Sequence, residues 1–204
     1  LAFGLGASVF LSACVVPNED VLLNNVDQMT GGIACNDAIK QYLDSADMEG
    51  AGAGIDVGHN VVVHYVGRLD DQKVFDTSVE SIAKACGMYN AMRDYNEGLA
   101  FEVGAGQMIA GFDQGVLGMK KGQTKTITIP ASEAYGEWSE DALITVERTQ
   151  IPNGDQLEVG MPVMNAYKQT LLVHSVTETE VVLDANHELA GKNLIFDITV
   201  IEIK

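Results

Sequence analysis

The chain has 204 residues, with 12 Lys and Arg against 29 Asp and Glu, for a formal net charge of −17. That length supports one domain with a sizeable core or two small ones. The acidic balance argues against nucleic acid, whose phosphates need clustered Lys and Arg, and against electrostatic attachment to anionic lipid. Because the charge is spread along the chain, it reads as a solubilising surface.

The first stretch, Leu1 to Cys14, is LAFGLGASVFLSAC, apolar and uncharged but too short to span a bilayer comfortably. It ends Leu11-Ser12-Ala13-Cys14, the pattern of a lipobox, in which small residues suit a signal peptidase and the Cys14 thiol takes the lipid. The alternative is a buried N-terminal strand or helix. Residues 15–54 read as a tether carrying one short helix. Ala38, Ile39, Tyr42 and Leu43 stand at helical spacing within Asn36 to Ala46, and EGAGAG (49–54) reads as a flexible turn. Cys35 and Cys86 are the two cysteines left once Cys14 is set aside. In an exported protein an even pair suggests a disulfide, with two free thiols as the alternative.

From Val61 the pattern changes to alternation. Val61, Val63 and Tyr65 share one strand face, and Val62, His64 and Val66 share the other. Residues 79–98 have Ile82, Ala83 and Cys86 at helical spacing, then Met88, Tyr89 and Met92. They read as a bulge that either contacts a ligand or covers an edge strand. The central stretch, LAFEVGAGQMIAGFDQGVLGMKKG (99–122), reads as strand, glycine turn, short helix and glycine turn. Met108, Ile109, Phe112, Val116 and Leu117 give the helix one apolar face. Phe101, Met108, Ile109 and Phe112 are expected to converge on a concave pocket.

The order of motifs resembles FKBP-type peptidyl-prolyl isomerases. VVVHYVGRL (61–69) and KVFDTS (73–78) precede the central stretch, EAYGE (133–137) follows it, and NLIFDITVIEI (193–203) closes the set. The long insert after Tyr135-Gly136 makes the chain similar to the SlyD-like branch in particular, and residues 79–98 resemble inserts of archaeal-type members. The resemblance implies that Tyr65, Phe75, Asp76, Tyr135 and Phe196 are the catalytic residues. It implies that Phe101, Met108, Ile109, Phe112 and Ala134 complete the substrate pocket. Phe75 would form a wall, the Asp76 carboxylate would bond near the substrate, and the Tyr135 hydroxyl would donate to a substrate carbonyl. Phe112 stands where the human-type pattern has tryptophan, giving a smaller floor. The chemistry needs no nucleophile, metal or cofactor, and the four histidines are not grouped at ligand spacing.

The insert, residues 138–186, resembles the insert-in-flap domain of SlyD-like proteins. Leu171 to Val176 and Glu180 to Leu183 read as two strands joined at Thr177–Thr179. About 50 residues bury only a limited core. Met161, Val163, Met164, Tyr167, Leu171 and Leu172 are therefore candidates for a client surface, with several of them core and some exposed.

The expected fold class is α+β, an FKBP-like antiparallel half-barrel sheet wrapped on a short helix, with an inserted small β-rich domain. The expected division is a signal segment (1–14), a tether (15–54), an isomerase domain (55–137 and 187–204) and a chaperone insert (138–186). The expected activity is prolyl isomerisation and folding assistance on unfolded or proline-containing polypeptides, by a monomer held to the cell envelope only through an N-terminal lipid. A non-catalytic holdase and a lipid-tethered scaffold are the alternatives.

Overall fold

The computed structural model describes residues 34–69, 73–165 and 168–204. Cys14, the lipobox and residues 15–33 of the expected tether lie outside the described residues, as does Tyr167. The described chain forms two antiparallel sheets. The first has five strands: β1 (Asn60–Arg68), β2 (Val74–Thr77), β3 (Leu99–Glu102), β4 (Thr124–Ile129) and β9 (Leu194–Ile203). The second has four: β5 (Leu143–Glu147), β6 (Pro162–Met164), β7 (Thr170–Val176) and β8 (Glu180–Asp184), in the order β5-β8-β7-β6.

In the first sheet β9 pairs along one edge of β1 and β4 pairs with the far side of β9. The other edge of β1 is shared, with β3 against its first half and β2 against its last residues. Alternation gives the sheet two different faces. Val61, Val63, Tyr65, Phe196, Ile198 and Val200 point to the main core. Val66, Arg68, Asp197, Thr124, Thr126 and Thr199 belong to the opposite face.

The short helix α3 (Ala110–Gly115) lies against the core face. It approaches β4 closely because its inward positions are glycines: a Cβ on Gly111 would overlap Ile129, and one on Gly115 would overlap Ile127. Phe112, between them, drives its ring into the core. The helix is shorter than the sequence periodicity suggests. Met108 and Ile109 precede it in extended or turn conformation, and Leu117 is exposed rather than on a buried face.

Two helices cover the opposite face. They are α1 (Cys35–Asp44) and α2 (Glu80–Ala85), and Ala38, Ile39, Val66 and Ile82 form their shared buried cluster. The Tyr42 hydroxyl bonds the Thr199 hydroxyl on β9. Cys35 and Cys86 are joined by a disulfide across a sequence separation of 51, a loop whose closure restricts the unfolded chain by about 4 kcal/mol. Beneath the helices Asp197 is fully buried, accepting from Arg68 Nε at 2.9 Å and from the Thr126 hydroxyl at 2.6 Å.

This corrects the reading of a tether up to residue 54. The described part of that segment is packed. Asp47 and Ala51 bridge to Gln123 and Lys121, and Ile55 N donates to the Met119 carbonyl at 2.8 Å. EGAGAG is ordered because two of its glycines, Gly50 and Gly52, take the left-handed backbone that this turn requires.

The second sheet buries Leu171, Val173, Val181 and Leu183 on one face, with Val146, Ile151, Leu157 and Val163 packed around them. The chain segments joining the two sheets are bonded to each other. Gly191 N donates to the Gly136 carbonyl at 2.8 Å, and Ser139 N donates to the Asn186 side chain at 3.0 Å. The indole of Trp138 donates to Asp184 at 3.0 Å.

Candidate active site

The site is built on the core face where β1, β2, β9 and α3 meet. Phe196 is its hub. Its ring lies 5.1 Å from Phe112, 5.5 Å from Phe75 and 6.1 Å from Tyr65, mostly edge-on or tilted, the arrangement that aromatic quadrupoles favour. Phe101 extends the group at 5.8 Å from Phe112. Met108, Ile109 and Ala134 pack against the same cluster while remaining partly exposed.

Consecutive residues of a strand point to opposite faces, yet Phe75 and Asp76 both serve this one. A β-bulge explains it. The register runs Gly67 opposite Asp76 and Arg68 opposite Val74, so Phe75 is the extra residue on β2. Its ring then lies over the backbone of Gly67. A Cβ there would stand 2.7 Å from Phe75 Cζ and 2.9 Å from Phe196 Cε1, so only glycine leaves room for both rings.

One edge of the hollow is polar. Tyr65 donates its hydroxyl to one Asp76 carboxylate oxygen. The other oxygen accepts from Thr77 N at 2.8 Å and from the Arg93 guanidinium at 2.6 Å. Arg93 also donates to the Tyr65 oxygen at 2.9 Å, closing a three-membered network. Burial, then the Asp76 hydrogen bond, push the Tyr65 hydroxyl up to about 12, so it stays protonated and a donor. Burial works against the Arg93 charge, but the bonds to Asp76 and Tyr65 outweigh it and raise the guanidinium above its ordinary value. With both oxygens engaged, Asp76 orients the Tyr65 hydroxyl and the Arg93 guanidinium.

Tyr135 stands apart from the aromatic cluster. It is half-exposed, and its ring stacks flat on His187 at 3.9 Å. The His187 Nδ1 accepts from Leu189 N at 3.1 Å, which fixes the imidazole as a platform for the tyrosine. The structure therefore brings Tyr65, Phe75, Asp76, Phe101, Phe112 and Phe196 together, with Met108, Ile109 and Ala134 at the margin. Tyr135 emerges one residue beyond Ala134. Arg93 and His187 were not among the residues singled out from sequence. His187 sits in DANHELAG, at the return from the insert, and that position was its available signal.

The insert's client candidates divide by burial. Leu171 and Val163 belong to its small core, which corrects their reading as client surface. Met161, Met164 and Leu172 are exposed. In the register Val163 opposes Leu171 and Pro162 opposes Leu172, so Met164 and Leu172 fall on the sheet face away from the core.

Comparison with known proteins agrees with this architecture. The model of the family "FKBP-type peptidyl-prolyl cis-trans isomerase" matches residues 53–201. A short-type peptidyl-prolyl cis-trans isomerase of Methanocaldococcus jannaschii is 37% identical over 148 residues, 72% of this chain and 92% of that protein. A probable FKBP-type 16 kDa isomerase of Pseudomonas fluorescens is 28% identical over 153 residues, 72% of this chain and 92% of that protein. The SlyD isomerase of Escherichia coli is 32% identical over 104 residues, 50% of this chain and 53% of that protein. With its bulged strand, aromatic hollow and SlyD-like insert, the chain belongs to the FKBP-type peptidyl-prolyl cis-trans isomerases.

Proposed function

We propose that the hollow around Phe196 is where this isomerase turns X–Pro bonds, and that the insert holds unfolded clients beside it. The uncatalysed rotation faces a barrier of ~18–20 kcal/mol because amide resonance is lost on twisting. A planar amide is more polar than a twisted one, so a dry aromatic hollow disfavours the ground state relative to the transition state. The hollow supplies Tyr65, Phe75, Phe112 and Phe196 as walls. The His187 stack supports Tyr135 as a donor to a substrate carbonyl, and the Tyr65–Asp76–Arg93 network fixes the polar edge. The observation that carries the reading is the bulge that turns both Phe75 and Asp76 into the hollow.

The test is cis–trans exchange of a short Ala-Pro-Phe peptide. The wild-type chain should accelerate it. Tyr135→Ala removes a half-exposed side chain and should lower kcat/KM roughly three- to tenfold with unchanged melting, about the worth of one hydrogen bond. An unchanged rate in that variant would remove Tyr135 from the site.

The insert's exposed Met164, Leu172 and Trp138 support a client-holding role, since methionine adapts to irregular apolar partners. Both ends of the insert join the body beside Tyr135 and His187, so a held client samples the hollow at high effective concentration. Replacing residues 138–186 by a short Gly-containing turn should leave exchange of the short peptide largely intact. It should sharply weaken proline-limited refolding of a whole protein. Equal loss of both would make the insert a structural support only. We also propose export and lipid attachment at Cys14. Detergent partitioning of the full-length chain, lost in Cys14→Ser, is the check.

A further inference from the structure

Tyr135 and His187 stand at opposite ends of the insert, yet their rings lie flat on each other, 3.9 Å apart and 1° from parallel. The two chain segments that carry them are tied together on either side. The Gly136 carbonyl accepts from Gly191 N at 2.8 Å. Ser139 N donates to the Asn186 side-chain oxygen at 3.0 Å, and the Asn186 amide returns a bond to the Ser139 carbonyl at 2.9 Å. Both rings also adjoin the hollow through their chain neighbours. Ala134 packs against the cluster around Phe196, and Leu189, two residues after His187, is buried within it.

The turn after His187 decides where the imidazole carries its proton. Leu189 N donates to Nδ1 at 3.1 Å, and a donor meets a lone pair there. The neutral ring therefore holds its proton on Nε2. Ala190 N donates to the His187 carbonyl at 2.8 Å, which closes the turn beneath the ring. His187 is exposed, and among the described residues its Nε2–H has no acceptor. The half-exposed Tyr135 hydroxyl has no partner among them either.

A chain passing through proline is rich in carbonyls and short of N–H groups, because proline has none. Groups that recognise its backbone must therefore be donors. Tyr65, buried in the hollow, has already given its hydroxyl proton to Asp76. The stack keeps two donors unspent, one on each ring. Its 3.9 Å spacing is close to the ~3.3–3.6 Å by which an extended chain advances per residue. Neighbouring carbonyls of one bound chain fit the two rings.

The geometry points to His187 as a further catalytic residue. Its Nε2–H donates to the substrate carbonyl next to the one that Tyr135 binds, so the stack grips the backbone beside the X–Pro bond as it twists. This rests on the reading of the hollow given above.

Three substitutions in the full chain separate the contributions of the ring. His187→Phe keeps a flat ring against Tyr135 and loses both nitrogens. His187→Asn keeps an acceptor near Nδ1 for Leu189 N. His187→Gln keeps an N–H donor near the position of Nε2. A donor role predicts a loss of roughly two- to tenfold in kcat/KM for the Ala-Pro-Phe peptide in His187→Phe and His187→Asn, the range of one hydrogen bond, with His187→Gln ranking above both. Full activity of His187→Phe would reduce the ring to a platform. His187→Asn ranking above His187→Gln would reduce it to a turn acceptor. Either result overturns the assignment. A measurement on the wild-type chain needs no variant to fold. Imidazole nitrogen NMR should find the His187 proton on Nε2, and the same peptide should shift that signal. A proton on Nδ1, or a signal indifferent to saturating peptide, would also overturn it. A wild-type chain that catalyses no exchange would sink the hollow and this role together, whereas an active wild type matched by His187→Phe would sink only the role of His187.

Discussion

The two sheets of this molecule are both antiparallel, yet one is covered on both faces and the other on one. In the five-stranded body, the inner face carries the aromatic hollow and the outer face is sealed by α1 and α2 over the Arg68–Asp197 pair. In the four-stranded insert, Leu171, Val173, Val181 and Leu183 fill one face, while Met164 and Leu172 look outward. An antiparallel sheet tolerates either arrangement, provided the open face is wet or has a partner. The difference matches the two tasks proposed for them. Holding five aromatic rings in fixed register needs a rigid, doubly covered sheet. A surface that accepts many unfolded segments needs exposed, adaptable apolar groups and less rigidity.

The sharpest way to break the comparison is to remove the seal of the body. Asp197→Ala deprives Arg68 of its carboxylate at a site only 6% exposed, and leaves the Thr126 hydroxyl without its acceptor. Removing one partner of a buried ion pair costs about 3–5 kcal/mol. Urea denaturation should show a loss of that size, with isomerase activity and melting point falling together. A loss below about 1 kcal/mol would mean that the pair is bystander chemistry and that apolar packing alone holds the helices down.

The next largest effect should fall on the insert alone. Leu183→Ala removes a buried side chain worth about 2–5 kcal/mol. A small core supplies only about 3–5 kcal/mol in total. The insert should then open by itself. Hydrogen exchange should quicken in β5 to β8, suppression of client aggregation should fall, and exchange of the short Ala-Pro-Phe peptide should stay within about twofold. If protection in β1 and β9 falls equally, the two sheets are one cooperative unit and the contrast drawn above is wrong.

The body was more legible in sequence than the site's polar edge. Alternation in VVVHYV assigned Val61, Val63 and Tyr65 to one face, and the packing agrees. The resemblance carried by the motif order implies one pocket for Phe75, Phe112 and Phe196, and the Phe75 and Phe112 rings lie 5.5 Å and 5.1 Å from Phe196. Arg93 escaped because nothing local marks it. It lies in an irregular segment, and its role depends on the chain turning back to Tyr65 and Asp76, 28 and 17 positions away. The flexible-turn reading of residues 49–54 fails for a related reason. The glycines there suggest flexibility when read alone, but the partners that order the segment 47–54, Met119 to Thr124, are far along the chain. Within the insert the strand pair 170–184 was legible, whereas which apolar residues face out required the register of β6 against β7.

The smallest effect sharpens the comparison at the junction between the sheets. Trp138, the chain's one tryptophan, donates its indole N–H to Asp184, which also accepts from the backbone and side chain of Asn186. Partial desolvation works to raise the Asp184 carboxyl, but these hydrogen bonds outweigh it and hold the group below its ordinary value of 3.8. A carboxylate with a depressed folded value contributes its bonds fully above the ordinary value and loses them as pH falls through the lower folded one. Between neutral pH and about 4 the Asp184 carboxylate should therefore keep its bonds to Trp138 and Asn186. Below 3.8 Asp184 should protonate, the indole should lose a charged acceptor, and Trp138 emission should shift, with far-UV circular dichroism showing that the strands persist. Asp184→Asn keeps an oxygen for the indole and removes the titration, so its emission should be near wild type at pH 7 and flat in acid. A step of equal size in Asp184→Asn would assign the transition to another group and leave the junction insensitive to acid.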